Sequence, residues 1–319
     1  MSEVYKRKRR TGMLGWLLTA LNLQPRYAHV PTIGVQGAGK SYFIFSNGYF
    51  ISKRGLGQLV GQNQDYLDSL QPVIMRREPL DATQGYKDLS LLVEHIYDAD
   101  FQRIADEVGC EKLGIATSEP ATQGEASPTD EAKLRCNILM TTNDLSGLEF
   151  AQAMQRLREP NAELGGDPVT RNFLDVVRNA DGLTVIVDIV RGIQSQEEFA
   201  REAEAHIRHA FAEQVEPLAR GIELAISRQR RRSRRGAFPV FLVFTKRDIH
   251  GLGRERLEEM TDVIFALMLA RLRRSNVQIR IHSVQSMGFK QAGESDTLLN
   301  SDSVGIGLYL ADLFYWMKQ

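Results

Sequence analysis

The segment Gly34–Ser41 constrains the fold of this chain more than any other. Its sequence, Gly-Val-Gln-Gly-Ala-Gly-Lys-Ser, fits the pattern G-x-x-x-x-G-K-[ST], and the apolar residues from Val30 to Val35 lead into it as a short strand. Glycines let a backbone wrap an anion with its N–H groups pointing inward, and a helix that begins near Ser41 adds the positive end of its dipole. The pattern therefore predicts a strand, a phosphate-binding loop and a helix in succession.

The same segment predicts contacts with a nucleoside triphosphate. Lys40 is expected to reach the β- and γ-phosphates, and the Ser41 hydroxyl is expected to ligate Mg²⁺. The residues predicted to bind the nucleotide here are Gln36, Gly37, Ala38, Gly39, Lys40, Ser41 and Tyr42.

Composition excludes several other classes of protein. Among 319 residues, Lys and Arg together number 40, as do Asp and Glu, and this balance argues against a dedicated nucleic-acid binder. The two cysteines, Cys110 and Cys136, lack the spacing of a metal site and fit a reducing compartment. No run approaches the roughly 20 apolar residues of a membrane span. We therefore expect a cytoplasmic protein.

Two basic segments stand outside this even balance. Residues 1–24 form a separate N-terminal segment, in which a basic run at 6–10 precedes apolar residues at helical spacing. Residues 6–23 therefore predict either a peripheral contact with the inner face of an anionic membrane or a helix packed on its own domain or on a partner. The arginine run Arg228–Arg235 lacks interleaved aromatic residues, which favours a surface loop over a nucleic-acid patch.

Strands and helices alternate along the rest of the chain. The apolar runs Leu183–Val190 and Phe238–Phe244 are typical of parallel strands covered on both faces, and Leu134–Met140 and Val277–Ile281 add further strands. The spacing of apolar residues over Tyr86–Val108 predicts an amphipathic helix. We therefore expect an α/β fold in three layers, with about six mainly parallel strands flanked by helices.

The tetrapeptide Thr245-Lys246-Arg247-Asp248 follows directly after the buried strand at 238–244. Open α/β sheets bind their ligands at the carboxyl ends of their strands. Guanine presents its N1–H and its exocyclic amine side by side, so the Asp248 carboxylate can accept both hydrogen bonds. Adenine lacks this pair of donors and would leave a buried carboxylate unpaired. The tetrapeptide thus favours GTP over ATP.

These motifs, in this order, resemble those of the P-loop GTPases of the translation-factor and Ras-like class. The tetrapeptide matches their [NT]-K-x-D motif, and Asp144-Leu145-Ser146-Gly147 matches their D-x-x-G switch. The resemblance implies that the Lys246 stem lies along the base and that Thr245 braces the phosphate loop. It also implies that Asp144 holds Mg²⁺ through water and that the Gly147 N–H touches the γ-phosphate.

A last motif of this resemblance is partial. Ser283 and Val284 stand where the family has a loop whose backbone N–H groups contact the guanine O6 atom, although Gln285 replaces the usual lysine. Taken over residues 25–319, the resemblance implies one GTPase domain with insertions at about 54–130 and 192–236. It further implies GTP or GDP as the bound nucleotide, Mg²⁺ dependence, and switching that acts through an effector protein.

Two departures from the family pattern concern hydrolysis. The switch threonine has three candidates, Thr83, Thr117 and Thr122, of which Thr83 is favoured. Leu148 follows Gly147 at the position where Ras-like enzymes have a water-orienting glutamine. We therefore expect slow intrinsic hydrolysis, with Lys40, Gly147 and Thr83 in the catalytic set and an activating protein or a second copy of the chain completing the site.

Two rival functions remain open on the sequence alone. Asp188 closes an apolar strand in the manner of the metal-binding aspartate of P-loop ATPases, which suggests an ATP-driven motor or a nucleic-acid-handling ATPase. The other rival is a scaffold that binds GTP and hardly hydrolyses it.

Overall fold

The structure is a computed structural model. It describes residues 27–52, 54–61, 89–108, 134–142, 145–159, 167–193, 195–227, 237–284 and 305–317.

A seven-stranded sheet forms the centre of the described part of the chain. In space the strands follow the order β2-β3-β4-β1-β5-β6-β7. Of these strands, β3 alone runs against its neighbours, since it pairs antiparallel with both β2 and β4, whereas the pairs from β4 to β7 are all parallel. The strands are β1 Tyr27–Gly34, β2 Gly57–Gly61, β3 Leu89–Tyr97, β4 Leu134–Thr141, β5 Leu183–Val187, β6 Phe238–Phe244 and β7 Val277–Ser283.

Helices complete the three layers. In one group α10 packs on both α1 and α2, and a second group of contacts joins α3, α4, α7 and α9. The helices are α1 Lys40–Ser52, α2 Asp98–Val108, α3 Gly147–Arg158, α4 Pro168–Asn179, α5 Gln196–Arg201, α6 Ala203–Ala210, α7 Glu216–Ser227, α8 Arg247–His250, α9 Arg254–Arg274 and α10 Ile306–Trp316. A π-helical turn, Phe211–Val215, joins α6 to α7.

Local sequence explains several of these elements. Every residue of β5 and β6 is buried, as the apolar composition of both strands predicts for the middle of a covered sheet. Helix α3 begins with a capping box, in which Ser146 accepts from the Glu149 N–H and Glu149 accepts from the Ser146 N–H. Helix α4 begins with Asp167 as its N-cap and Pro168 in its first turn.

The fold class is the one expected from the sequence, with two differences in its elements. The sheet has seven strands rather than about six, because Gly57–Gly61 adds an edge strand. The helix predicted over Tyr86–Val108 is wrong in its first half, where residues 89–97 form β3 and only Asp98–Val108 is helical. In β3 the side chains of Leu91 and Val93 are fully buried at strand spacing, and pairing with β4 satisfies the backbone.

Some expectations fall on residues that the structure does not describe. These are the N-terminal segment 1–24, the arginine run at 228–235, and the switch-threonine candidates Thr83, Thr117 and Thr122. The insertion boundaries at 54–130 and 192–236 stay predictions. Within the described ranges, no helix is long and apolar enough to cross a membrane.

Candidate functional site

The sequence motifs converge at one edge of the sheet. The glycine-rich loop follows β1, Asp188 follows β5, the segment Thr245–Asp248 follows β6, and Val284 follows β7. Because β1, β5, β6 and β7 are parallel, their carboxyl ends meet at this edge. The motifs that are distant in sequence therefore form a single candidate site.

The glycine-rich loop adopts a conformation that only glycine accepts easily. Gly37 and Gly39 have φ angles of 80° and 91°, in the left-handed region. At Gly39 the loop also passes close to β6, since a Cβ atom there would lie 3.5 Å from the Thr245 hydroxyl oxygen. Helix α1 begins at the next residue, so its first N–H groups, which have no acceptor within the helix, face the loop.

The Lys40 side chain folds back over the loop. Its Nζ donates to the carbonyl oxygens of Gly34 and Val35, at 2.8 and 2.9 Å. Burial lowers the pKa of Lys40 to about 8 because the ammonium loses solvation, and no carboxylate among the described residues compensates for it. A phosphate group placed inside the loop would supply the missing negative charge.

Gly147 lies directly against this loop. A Cβ atom at Gly147 would be 2.5 Å from the Gln36 nitrogen and 3.0 Å from Lys40 Nζ. Only a residue without a side chain leaves the loop undisturbed at this distance. The structure thus brings Gly147 and the glycine-rich loop together, although more than a hundred residues of sequence separate them.

The neighbours of Gly147 bear on hydrolysis. The carboxylate of Glu149 accepts from the Ser146 N–H at 2.9 Å, so the capping box holds this side chain at the helix start. Leu148 is 61% exposed. In the described conformation, therefore, Leu148 offers no polar group to water at the loop, and Glu149 is held at the helix start through one of its two carboxylate oxygens.

The predicted metal ligands are placed only in part. Ser41 lies in the first turn of α1, directly after Lys40, and is partly buried. Asp144 lies outside the described residues. Among the described residues there is no group of three or more His, Cys, Asp or Glu side chains that would hold a metal ion by itself. One hydroxyl fits Mg²⁺ bound to a nucleotide, because such ions take few protein ligands and rely on phosphate oxygens and water.

Thr245 joins the two halves of the site. Its hydroxyl donates to the Ala38 carbonyl oxygen at 2.7 Å, and both groups are buried. This contact links the end of β6 to the phosphate loop across 207 positions of sequence. Any ligand that touches the loop therefore lies within reach of the segment after β6.

Lys246 and Asp248 lie in the turn after Thr245. Lys246 has a φ angle of 63°, and its Nζ forms an ion pair with Asp188 Oδ2 at 2.9 Å. Asp248 is in the first turn of α8. Burial raises the pKa of the Asp248 carboxyl, and the charge of Lys246 opposes this change. The Asp248 backbone N–H donates to its own carboxylate, and no side chain among the described residues does so, which leaves acceptor positions for a ligand.

The segment after β7 makes contacts within the protein. The Val284 N–H donates to the Phe244 carbonyl oxygen at 2.8 Å, because the β6–β7 ladder extends one residue past β7. The sequence predicts that the Val284 N–H donates to guanine O6, but in this conformation that N–H is already engaged with Phe244. The Ser283 hydroxyl donates to the Leu252 carbonyl oxygen at 2.6 Å, and the Val284 carbonyl oxygen accepts from the Arg247 N–H at 3.5 Å. Both contacts hold this segment beside the turn that carries Asp248.

Sequence reasoning missed the partner of Lys246. Asp188 was interpreted as a rival metal ligand, but its Oδ2 pairs with Lys246 and its Oδ1 accepts from the Val190 N–H at 3.2 Å. A lone carboxylate at the end of an apolar strand was the available signal. It indicated a buried charge that needs a partner without indicating which partner.

Comparisons with known proteins gave only weak similarities. No family model and no curated protein matches this chain. The solved structures that resemble it include a bacterial selenocysteine-specific elongation factor, EF-Sec, at 12% identity and a TM-score of 0.32, over 91% of this chain and 28% of that chain. The GTP-bound GTPase-like domain of Saccharomyces cerevisiae Ski7 resembles it at 10% identity and a TM-score of 0.38, over 93% of this chain and 52% of that chain.

A third similar structure is the elongation factor SelB from Methanococcus maripaludis with the GTP analogue GppNHp. It is 8% identical, with a TM-score of 0.30, over 92% of this chain and 34% of that chain. The chain thus spans between about a quarter and a half of the length of these three proteins. The functional conclusion therefore depends on the geometry of the site itself.

Proposed function

We propose that this protein binds GTP and GDP with Mg²⁺ and acts as a slowly hydrolysing molecular switch. The observation that carries the proposal is the hydrogen bond between Thr245 and Ala38. It makes the phosphate loop and the segment that carries Asp248 parts of one site. A loop suited to phosphates and a carboxylate suited to guanine then act on the same ligand.

Each part of the site has a defined role in this proposal. The loop backbone and Lys40 bind the phosphates, Asp248 reads the guanine edge, and Lys246 supports the base. Ser41 supplies one oxygen to Mg²⁺, with Asp144 as the second protein group, and the ion would neutralise phosphate charge. Gly147, beside Lys40, senses the γ-phosphate and connects its presence to the position of α3.

Slow hydrolysis follows from the surroundings of Gly147. Because Leu148 is apolar and Glu149 is engaged in the capping box, an activating protein or a second copy of the chain would complete the catalytic site. The purified protein alone should therefore turn over GTP far more slowly than the same protein in the presence of its partner. Turnover of about tens per second by the protein alone, several orders of magnitude above unassisted switch GTPases, would contradict this part of the proposal.

The ATPase alternative finds less support. It requires Asp188 near the metal, whereas both oxygens of Asp188 already have partners within the protein. No observation on the described residues favours that reading over GTP binding.

The proposal is tested by nucleotide selectivity. Wild-type protein should bind GTP at least about a hundredfold more tightly than ATP, because ATP would leave Asp248 buried and unpaired. Asp248→Asn should lower GTP affinity and raise affinity for xanthosine triphosphate, whose 2-oxo group accepts from the new amide. Isothermal titration with each nucleotide and Mg²⁺ measures both effects.

A matched control is Asp262→Asn, which makes the same chemical change on the exposed side of α9. It should leave the order of nucleotide affinities unchanged. Tighter binding of ATP than of GTP by the wild type would refute the proposal, and so would unchanged GTP affinity in Asp248→Asn.

A further inference from the structure

The Asp188 carboxylate is buried at the end of β5 and is fully engaged. Its side chain is 3% exposed, Oδ2 lies 2.9 Å from Lys246 Nζ, and Oδ1 accepts from the Val190 N–H at 3.2 Å. A buried carboxylate is strongly destabilising unless it is paired and hydrogen-bonded, so this arrangement holds the Lys246 ammonium firmly.

Lys246 is held at both of its ends. Its backbone lies in the left-handed region, with φ 63°, which costs a non-glycine residue free energy and recurs at functional sites. Its ammonium is tied to Asp188, and its side chain remains 31% exposed. The aliphatic stem of Lys246 therefore runs from the end of β6 to the end of β5, beside Asp248.

Asp188 is in turn held by a glutamine from the π-helical turn. The Asp188 N–H donates to Gln214 Oε1 at 3.3 Å, and Gln214 Nε2 donates to the Asp188 carbonyl oxygen at 3.2 Å. Gln214 is 5% exposed, so this amide is removed from competing water. The π-helical turn that carries it also packs Phe211 against Phe244, with ring centroids 5.9 Å apart. Turns of this kind often occur at functional sites.

We propose that Asp188, held by Gln214, is a positioning residue for base recognition, which fixes the Lys246 stem as a platform for the guanine ring. This inference rests on the proposed function. It assigns Asp188 to the base and not to the metal, because its carboxylate is engaged on the base-reading turn. Loss of Asp188 should therefore weaken binding of the nucleotide base and leave binding of the phosphates intact.

The test compares GTP with inorganic tripolyphosphate, a probe that has phosphates and no base. Asp188→Asn should lower GTP affinity about tenfold, because the amide cannot hold the ammonium as an ion pair does. It should leave the affinity for tripolyphosphate, and the Mg²⁺ dependence of that affinity, at the wild-type values. The matched control is Asp181→Asn at the other end of β5, where Asp181 accepts from the His29 N–H.

A double-mutant cycle with Lys246→Met identifies the partner through which Asp188 acts. In the Lys246→Met background, Asp188→Asn should cause no further loss of GTP affinity, because the ion pair is already absent. Additive losses would overturn the proposal. So would a loss of tripolyphosphate affinity equal to the loss of GTP affinity, which would mean a metal-binding or purely structural role.

A second variant serves if Asp188→Asn does not fold. Gln214→Met keeps the length of the side chain and removes the clamp on the Asp188 backbone, so GTP affinity should fall about threefold with unchanged tripolyphosphate affinity. Unchanged GTP affinity in each of these variants that folds would overturn the proposal while the wild type still bound GTP. A wild type that bound tripolyphosphate and no guanine nucleotide would instead overturn the proposed function, and this inference with it.

Discussion

The two ends of the candidate site are built on different principles. At the phosphate end, the contacts involve backbone atoms: the Ala38 N–H donates to the Val35 carbonyl oxygen, and Lys40 folds onto the Gly34 and Val35 carbonyl oxygens. At the base end, side chains hold one another, with Asp188 paired to Lys246. Backbone contacts require only glycines at particular positions, whereas side-chain pairs require two residues from distant parts of the chain.

This difference determines how each end tolerates change. The phosphate end is sensitive to added volume, because glycines there allow other atoms to approach closely. The base end is sensitive to loss of a charge or of a hydrogen bond, because its parts are held by specific partners. Thr245 connects the two ends through its hydrogen bond to Ala38. The difference between the ends can therefore be tested by substitutions at the phosphate end, by substitution of Thr245, and by changing the charge of Lys40 and Asp248 with pH.

The largest expected effect is at the phosphate end. Gly147→Ala places a methyl group 2.5 Å from the Gln36 nitrogen, so the loop or the start of α3 must move. A displacement of this size near reacting atoms is expected to lower the GTP turnover number by about a hundredfold. Single-turnover hydrolysis with saturating GTP and Mg²⁺ measures it.

The matched control is Gly253→Ala, at a glycine with an ordinary φ of −72° and with no atom closer than 3.8 Å to the new methyl group. It should retain wild-type turnover. Full activity in Gly147→Ala would mean that Gly147 does not act on the loop.

An intermediate effect is expected at the connection. Thr245→Val keeps the shape of the buried side chain and leaves the Ala38 carbonyl oxygen without its donor, so the free energy of unfolding should fall by about 1–3 kcal/mol. GTP affinity should fall several-fold, since the two ends lose their fixed separation. Urea denaturation and GTP titration measure the two quantities. Thr245→Ser retains the hydroxyl and should restore most of both, and a failure to do so would point to packing rather than to the hydrogen bond.

The smallest effects are expected in the pH dependence of binding, and they differ between the ends. Burial lowers the pKa of Lys40 to about 8, and an anionic ligand favours the charged form, so affinity for both GTP and tripolyphosphate should decline as pH rises through about 8. Burial raises the pKa of Asp248, so GTP affinity should also decline on acidification, at a higher pH than for an ordinary aspartate. The terminal phosphates of both ligands also take up a proton at about pH 6, so the part of the acid limb due to Asp248 is the excess seen with GTP over tripolyphosphate.

Affinity measured between pH 5 and pH 9.5 distinguishes the two limbs. Asp248→Asn should reduce the acid limb for GTP to that of tripolyphosphate and keep the alkaline limb. An acid limb for GTP that stayed larger than that of tripolyphosphate in this variant would assign it to another group.

Much of the fold was predictable from the sequence, and the errors of that prediction have a physical cause. The all-apolar strands β5 and β6 were located from composition, because burial on both faces leaves an unmistakable local pattern. Strand β3 was predicted as part of a helix, because Leu91 and Leu92 fit helical spacing as well as strand spacing. Only pairing with β2 and β4 decides between them, and those partners lie far away in sequence.

The candidate site shows the same division. The glycine-rich loop and the turn at Thr245–Asp248 were recognisable because consecutive residues define them. The engagement of the Val284 N–H in the β6–β7 ladder was not recognisable, because it depends on where a free donor finds its partner in space. The capping box of Ser146 and Glu149, by contrast, is a local S-x-x-E pattern that was visible in the sequence and was not interpreted.

The sequence by itself determined which chemical groups are present at the candidate site: the glycine-rich loop, the Asp248 carboxylate, and the apolar strands that present both. Tertiary structure alone decided how those groups are held, above all that Asp188 pairs with Lys246 and is clamped by Gln214. The physical reason is the range of the interactions. Turns and strand composition depend on neighbouring residues, whereas a buried charge finds its partner only when the whole sheet has assembled.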